Sequence, residues 1–129
     1  MKKFKPMLLV MIAAFLMFSF SSSAFAANKV VLDKHEYETL VTSEKVYTEG
    51  ETVEVQPYMM AAGEANVYVM FEDAETEDSI LMGQLVFTPE MKGVAIKTYH
   101  KNPRPGYYYL QISGDTNAFI HATLKKLKY

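Results

Sequence analysis

The sequence predicts an all-β protein: a small antiparallel β-sandwich of seven or eight short strands behind an N-terminal signal peptide. Three observations carry this. After Ala27 no segment sustains a 3.6-residue apolar period, whereas apolar and polar residues alternate strictly in several runs. Clusters rich in Gly, Pro, Asp and Asn break the alternation at near-regular spacing. The 129 residues are 50% hydrophobic and contain no Cys, which excludes a disordered chain, a disulfide framework, a thiol nucleophile and a thiolate metal site.

Residues 1–26 are expected to be an export signal. Lys2, Lys3 and Lys5 form a positive start, Met7 to Phe20 is almost wholly apolar, and Ala24-Phe25-Ala26 is an A-x-A site with cleavage before Ala27. The apolar run of about 14 residues is shorter than the roughly 20 of a membrane span, so no stable membrane anchor is expected after cleavage. Three of the 13 basic residues leave with the signal. The expected domain, 27–129, keeps ten against 15 acidic residues, a net charge of −5. Phosphate-backbone affinity comes from Lys and Arg, so nucleic acid is not an expected partner. The expected location is extracellular or the cell-wall space.

The strands follow in order. Lys29–Leu32 and Tyr37–Tyr47 are strand candidates upstream of Glu49-Gly50-Glu51. In Thr52–Met60, Val53, Val55 and Met59 alternate with Glu54, Gln56 and Tyr58. Ala62-Gly63-Glu64 turns the chain into Val67–Phe71, where Tyr68 and Met70 face away from Val67 and Val69. An acidic loop, Asp73–Asp78, precedes Gln84–Thr88, and Pro89–Gly93 precedes a strand at Val94–Lys97. Pro103-Arg104-Pro105-Gly106 leads into Tyr107–Ile112, with Tyr108, Leu110 and Ile112 inward. Gly114–Asn117 leads into Ala118–Lys125, with Phe119 and His121 outward. This pattern suits a sandwich, and nothing in it marks a second domain.

The layout Gly50-Glu-Thr-Val-Glu-Val, Val67-Tyr-Val-Met-Phe, Pro105-Gly-Tyr-Tyr-Tyr-Leu-Gln-Ile-Ser-Gly114 and a last alternating strand resembles bacterial pre-peptidase C-terminal modules. The resemblance covers about Gly50 to Leu124. It implies a secreted sandwich of jelly-roll or immunoglobulin-like type. That family's acidic residues near the third strand are absent, since Ala65-Asn66-Val67-Tyr68 stands there.

Chemistry-bearing groups are sparse. The acidic loop 72–78 (Glu72, Asp73, Glu75, Glu77, Asp78) offers hard oxygens but lacks the D-x-D-x-D-G spacing and glycine of a calcium loop, so it reads as a solvated tip. His35, His100 and His121 show no metal-ligand spacing, and no metal or cofactor is expected. Ser43, Ser79 and Ser113 sit in no nucleophile motif. Ser113, Asp115 and His121 form a triad only if forced, so no enzymatic activity is expected.

The tyrosines are more informative, because all nine lie in the mature chain. A three-residue hairpin loop at Asp115-Thr116-Asn117 would pair Ser113 with Phe119 and Gln111 with His121. One sheet face would then carry Tyr107, Tyr109, Phe119 and His121 as a ligand-binding strip. The ordinary reading is that Tyr is simply a good strand residue, or that Lys29–Thr42 covers the strip. The expected function is therefore a secreted, non-enzymatic binding protein acting on a protein or envelope-polysaccharide partner. The alternatives are a structural or matrix protein that assembles through strand edges, and a hydrolase inhibitor acting through Lys101–Gly106.

Overall fold

Alternation of apolar and polar side chains gives each strand one buried face, and two such faces satisfy each other only when two sheets stack. The computed structural model describes residues 28–128 and has this arrangement; the expected signal peptide, 1–26, lies outside the described residues. Nine strands form two antiparallel sheets: β1 Lys29–Lys34, β2 Leu40–Thr42, β3 Val46–Thr48, β4 Val53–Ala61, β5 Ala65–Asp73, β6 Ser79–Phe87, β7 Thr98–His100, β8 Gly106–Gly114 and β9 Phe119–Lys126. The four-stranded sheet has the order β1-β9-β4-β7. In the five-stranded sheet β2 and β3 lie end to end along β8, followed by β5 and β6.

The core lies between the sheets. Val53, Val55, Met59, Ile120, Ala122 and Leu124 of one sheet meet Val67, Val69, Phe71, Tyr108, Leu110 and Ile112 of the other, all essentially without solvent exposure. The alternation thus gives the inward side of these strands correctly. Val67 and Val69 pair with Ile112 and Leu110 within one sheet, while Val53 and Val55 cover them from the opposite one.

Two segments depart from expectation. Tyr37–Tyr47 is not one strand but two short ones, because the chain detours at Ser43–Lys45. The Ser43 N–H still donates to the Leu110 carbonyl (2.8 Å), but the Leu110 N–H donates to Ser43 Oγ (2.8 Å) in place of a backbone carbonyl. Val94–Lys97 runs beside β4 without becoming a strand. Pro57 accepts a bond from the Ile96 N–H (3.0 Å) but has no N–H to return, so only an isolated Tyr58–Ala95 bridge forms before β7 begins.

At one end of the sandwich two short arches carry the chain between sheets: Ala62–Glu64 joins β4 to β5, and Asp115–Ala118 joins β8 to β9. They are bonded side by side. The Asp115 N–H donates to the Glu64 carbonyl (2.8 Å), and the Glu64 N–H donates to Asp115 Oδ2 (3.2 Å). A Cβ on Gly63 would stand 2.7 Å from that of Ala118, so the contact requires glycine. Lys34, wholly buried, lies below; its Nζ donates to the carbonyls of Asp115 (2.6 Å) and Ala118 (2.8 Å). Burial lowers its pKa while the nearby carboxylates of Glu38 and Asp115 raise it.

Where β6 and β7 face each other, His100 turns inward over Gly83, and a Cβ on Gly83 would sit 2.6 Å from His100 Cε1. Its Nε2 lies 3.0 Å from Thr98 Oγ1. Burial depresses the imidazole below its ordinary 6.5. The unfolded chain therefore binds this proton more readily, and the stability tied to the neutral ring falls as pH drops from about 6.5 through the lower folded value. Urea midpoints at pH 7.5 and pH 5 should show a smaller loss in His100→Gln than in the wild type. An identical loss in both proteins would contradict this.

Candidate ligand-binding face

The four residues of the expected strip lie on two faces, not one. Tyr107 and Tyr109 project from β8 on the outer side of the five-stranded sheet, whereas Phe119 and His121 project from β9 on the outer side of the four-stranded sheet. The hairpin pairing of Ser113 with Phe119 and Gln111 with His121 does not form. Ser113 pairs instead with Leu40 and Asn66, and His121 with Asp33 and Tyr58. The cause is the Asp115–Ala118 arch. Its polar groups are satisfied by Glu64 and Lys34, and its Ala118 methyl is buried between the sheets, so the chain crosses the sandwich rather than returning beside itself. Ser113 and His121 are separated in the same way, so the forced triad does not assemble.

On the four-stranded sheet, His121 Nδ1 lies 2.5 Å from Asp33 Oδ1, and Phe119 meets the edge of His35 with centroids 4.8 Å apart. Both side chains are engaged by β1 and the turn after it. Lys29–Thr42 does not cover the β8 tyrosines either: β1 pairs β9, and β2 extends the sheet beside β8.

The outer face of the five-stranded sheet is richer. Strand register sets its side chains in rows. Tyr47, Tyr107, Glu72 and Ser79 form one row; Tyr109, Met70 and Leu81 the next; Thr42, Gln111, Tyr68 and Gln84 a third; Leu40, Ser113, Asn66 and Val86 the last. Tyr47 and Tyr107 pack with centroids 5.2 Å apart. Burial, with the Glu49 carboxylate 3.3 Å from its hydroxyl, pushes the Tyr47 phenol above its ordinary value. Tyr109 donates its hydroxyl proton to Ser79 Oγ (3.1 Å) and lies under Lys45, whose Nζ is 5.7 Å from the ring centroid. Lys45 also contacts both Glu72 carboxylate oxygens at 3.1 Å, and Gln84 Nε2 donates to Asn66 Oδ1 (3.2 Å). The face combines four part-exposed tyrosines with three amides and one ion pair. Alternation placed Tyr68, Tyr107 and Tyr109 outward, but Tyr47, Lys45, Glu72 and Gln84 join them only through strand order.

The acidic loop is closed by its own contacts. Asp73 pairs with Arg104 Nε, and its Oδ1 accepts the N–H groups of Glu75 (2.8 Å) and Thr76 (3.2 Å). The Arg104 bond, then these backbone donors, bring the carboxyl down to about 2. Among the described residues no group of three or more His, Asp or Glu side chains is placed to hold a metal ion.

No protein-family model matches the chain, and no curated protein matches it. Solved structures are similar at low identity. The CBM22-1 xylan-binding domain of Paenibacillus barcinonensis Xyn10C has a TM-score of 0.46 at 12% identity, over 77% of this chain and 83% of that one. The SPBc2 prophage-derived protein YomS has a TM-score of 0.45 at 7% identity, over 77% and 95%. A CBM4 structure has a TM-score of 0.43 at 8% identity, over 79% and 86%. The likeness is one of general β-sandwich fold, and the resemblance to pre-peptidase C-terminal modules holds at that level only.

Proposed function

We propose that the chain is an exported, non-enzymatic binding module that engages an envelope polysaccharide through the outer face of its five-stranded sheet. The observation that carries this reading is the interleaving of Tyr107, Tyr109 and Tyr68 with Gln111, Gln84 and Asn66 on adjacent strands. A sugar ring presents an apolar C–H face and a rim of hydroxyls. A tyrosine ring offers a flat apolar surface for the first, and a side-chain amide both donates to and accepts from the second. Tyr107 and Tyr109 project from the same face two residues apart, roughly 7 Å along β8, and Tyr68 lies one step diagonally from Tyr109. Such spacing suits consecutive rings of a chain better than a single small molecule. The lack of a net positive charge fits a neutral or hydroxyl-rich ligand rather than a polyanion. Export, cleavage before Ala27 and action outside the cell belong to the same proposal and rest on the Met1–Ala26 pattern.

Co-sedimentation of the exported protein with a panel of insoluble polysaccharides tests this. Tyr109→Ala should weaken retention at least about tenfold, as truncation of a stacking aromatic does. Its urea midpoint should stay close to wild type, because the side chain is outside the core. Phe119→Ala should bind as the wild type does. Retention that survives a Tyr68, Tyr107, Tyr109 triple alanine variant would overturn the reading.

A further inference from the structure

The net charge of −5 conceals a separation of charge between the two sheets. Within the strands of the five-stranded sheet the charged residues are Glu72 and Asp73, at the end of β5. The four-stranded sheet differs at the end where β4 begins. Register sets Lys29, Lys125, Glu54 and Tyr99 in one row across β1, β9, β4 and β7, on the outer side. Lys97 flanks β7 and its Nζ lies 3.8 Å from Glu54 Oε1. Lys126 ends β9, Lys101 follows β7 by one residue, and Lys128 follows β9 by two. These strand ends hold six of the ten basic residues of 27–129 against one of the 15 carboxylates, a charge of +5 that leaves −10 for the rest. Among the described residues, Lys29, Lys101 and Lys125 enter no ion pair. Acidic neighbours at this end are engaged elsewhere: Glu51 accepts the Glu49 N–H (2.9 Å), and Asp73 and Glu75 hold Arg104. Lys29 and Lys125 stand directly opposite each other, a like-charge pair that destabilises the two strands it joins. Both are exposed, so the core does not require them. Folds break such local rules chiefly where a function uses the exception.

We propose that this basic end of the four-stranded sheet binds a linear acidic glycan, a polymer of sugars with repeated phosphate or carboxylate groups. The class of ligand follows from charge and shape. Lysine ammonium groups attract either kind of anion as point charges. The row from Lys29 to Tyr99 spans three strand spacings, roughly 14 Å. A chain laid across the strands therefore meets Lys29 and Lys125 together, then Tyr99 between Lys97 and Lys101. Tyr99 is 56% exposed and offers its ring face to a sugar of that chain. Glu54 would repel an anion, but Lys97 offsets its charge. A small anion would touch one or two exposed lysines and be held weakly, whereas a polymer engages all of them at once. The site lies on the opposite side of the sandwich from Tyr68, Tyr107 and Tyr109, so occupying one leaves the other open. The inference does not rest on the reading of that tyrosine face.

Isothermal titration calorimetry of the exported protein with polygalacturonate and with phosphate-substituted dextran tests this. One or both should bind, and the pair tells carboxylate from phosphate. The dissociation constant should rise at least about tenfold between about 50 and about 200 mM salt, as counterions compete. Lys29→Gln, Lys125→Gln should weaken binding at least about tenfold, while its urea midpoint holds or rises because the like-charge pair is gone. Lys97→Gln, Lys101→Gln repeats the test should the first variant fail to fold, with far-UV circular dichroism as the check. Lys92→Glu changes the net charge by the same two units away from the row and should bind within about twofold of wild type. The Tyr68, Tyr107, Tyr109 triple alanine variant should also bind these polymers as the wild type does, which separates failure here from failure of the tyrosine face. Binding of neither polymer, undiminished binding by the folded lysine variants, or an equal loss in Lys92→Glu would overturn the proposal. So would co-sedimentation with phosphatidylglycerol vesicles against which neither polymer competes, since the surface would then be one for lipid.

Discussion

Lys34→Ala should destabilise the fold by about 3–5 kcal/mol in urea unfolding. Two losses combine. The Asp115 and Ala118 carbonyls lose the ammonium that donates to them, and a buried acceptor without its donor costs about 1–3 kcal/mol. The missing side chain also leaves a cavity of the kind that costs about 2–5 kcal/mol when a long side chain becomes alanine. One effect opposes these: folding no longer desolvates a charge. Lys34→Met isolates the hydrogen-bond part, since it fills the space and relieves the desolvation, and should therefore lose less than Lys34→Ala. Loss of less than about 0.5 kcal/mol in the alanine variant, the range of an ordinary surface change, would mean that the arches stand without their lysine.

Leu110→Ala should cost about 2–5 kcal/mol by lost transfer energy and residual cavity. Leu110 is fully buried on the middle of β8, beside Val69 and under the opposite sheet. Its neighbour Gln111 points the other way, so Gln111→Ala should stay within about 0.5 kcal/mol of wild type. Equal costs at the two positions would mean that the alternation along β8 does not decide which side is core.

The contrast between Leu110 and Lys34 shows what the sequence displays and what it hides. Period-two alternation is a local signal, and it gave the inward residues of β4, β5, β8 and β9 and the outward direction of Tyr68, Tyr107 and Tyr109. It says nothing about which strand lies beside which. Gly114–Asn117 reads equally well as a hairpin loop and as an arch. The difference lies in Glu64 and Lys34, some 50 and 80 residues away, which supply the arch's hydrogen-bond partners. A hairpin would have put Phe119 and His121 beside Tyr109; the arch sends them to the opposite face. Lys34, read alone, is the charged end of a strand, and only its contacts explain a buried ammonium. Pro57 and Ser43 are likewise visible residues whose effects on β7 and β2 depend on a neighbour not adjacent in sequence.

The face itself is tested most directly by backbone amide chemical shifts of the 15N-labelled protein during titration with soluble fragments of a polysaccharide that it retains. The expected result is a contiguous set of shifts at Tyr68, Tyr107, Tyr109 and Gln111, with Tyr58, Phe119 and His121 unmoved. Shifts confined to Tyr58, Phe119 and His121, or to the Lys101–Gly106 loop, would contradict the assignment of binding to the five-stranded sheet.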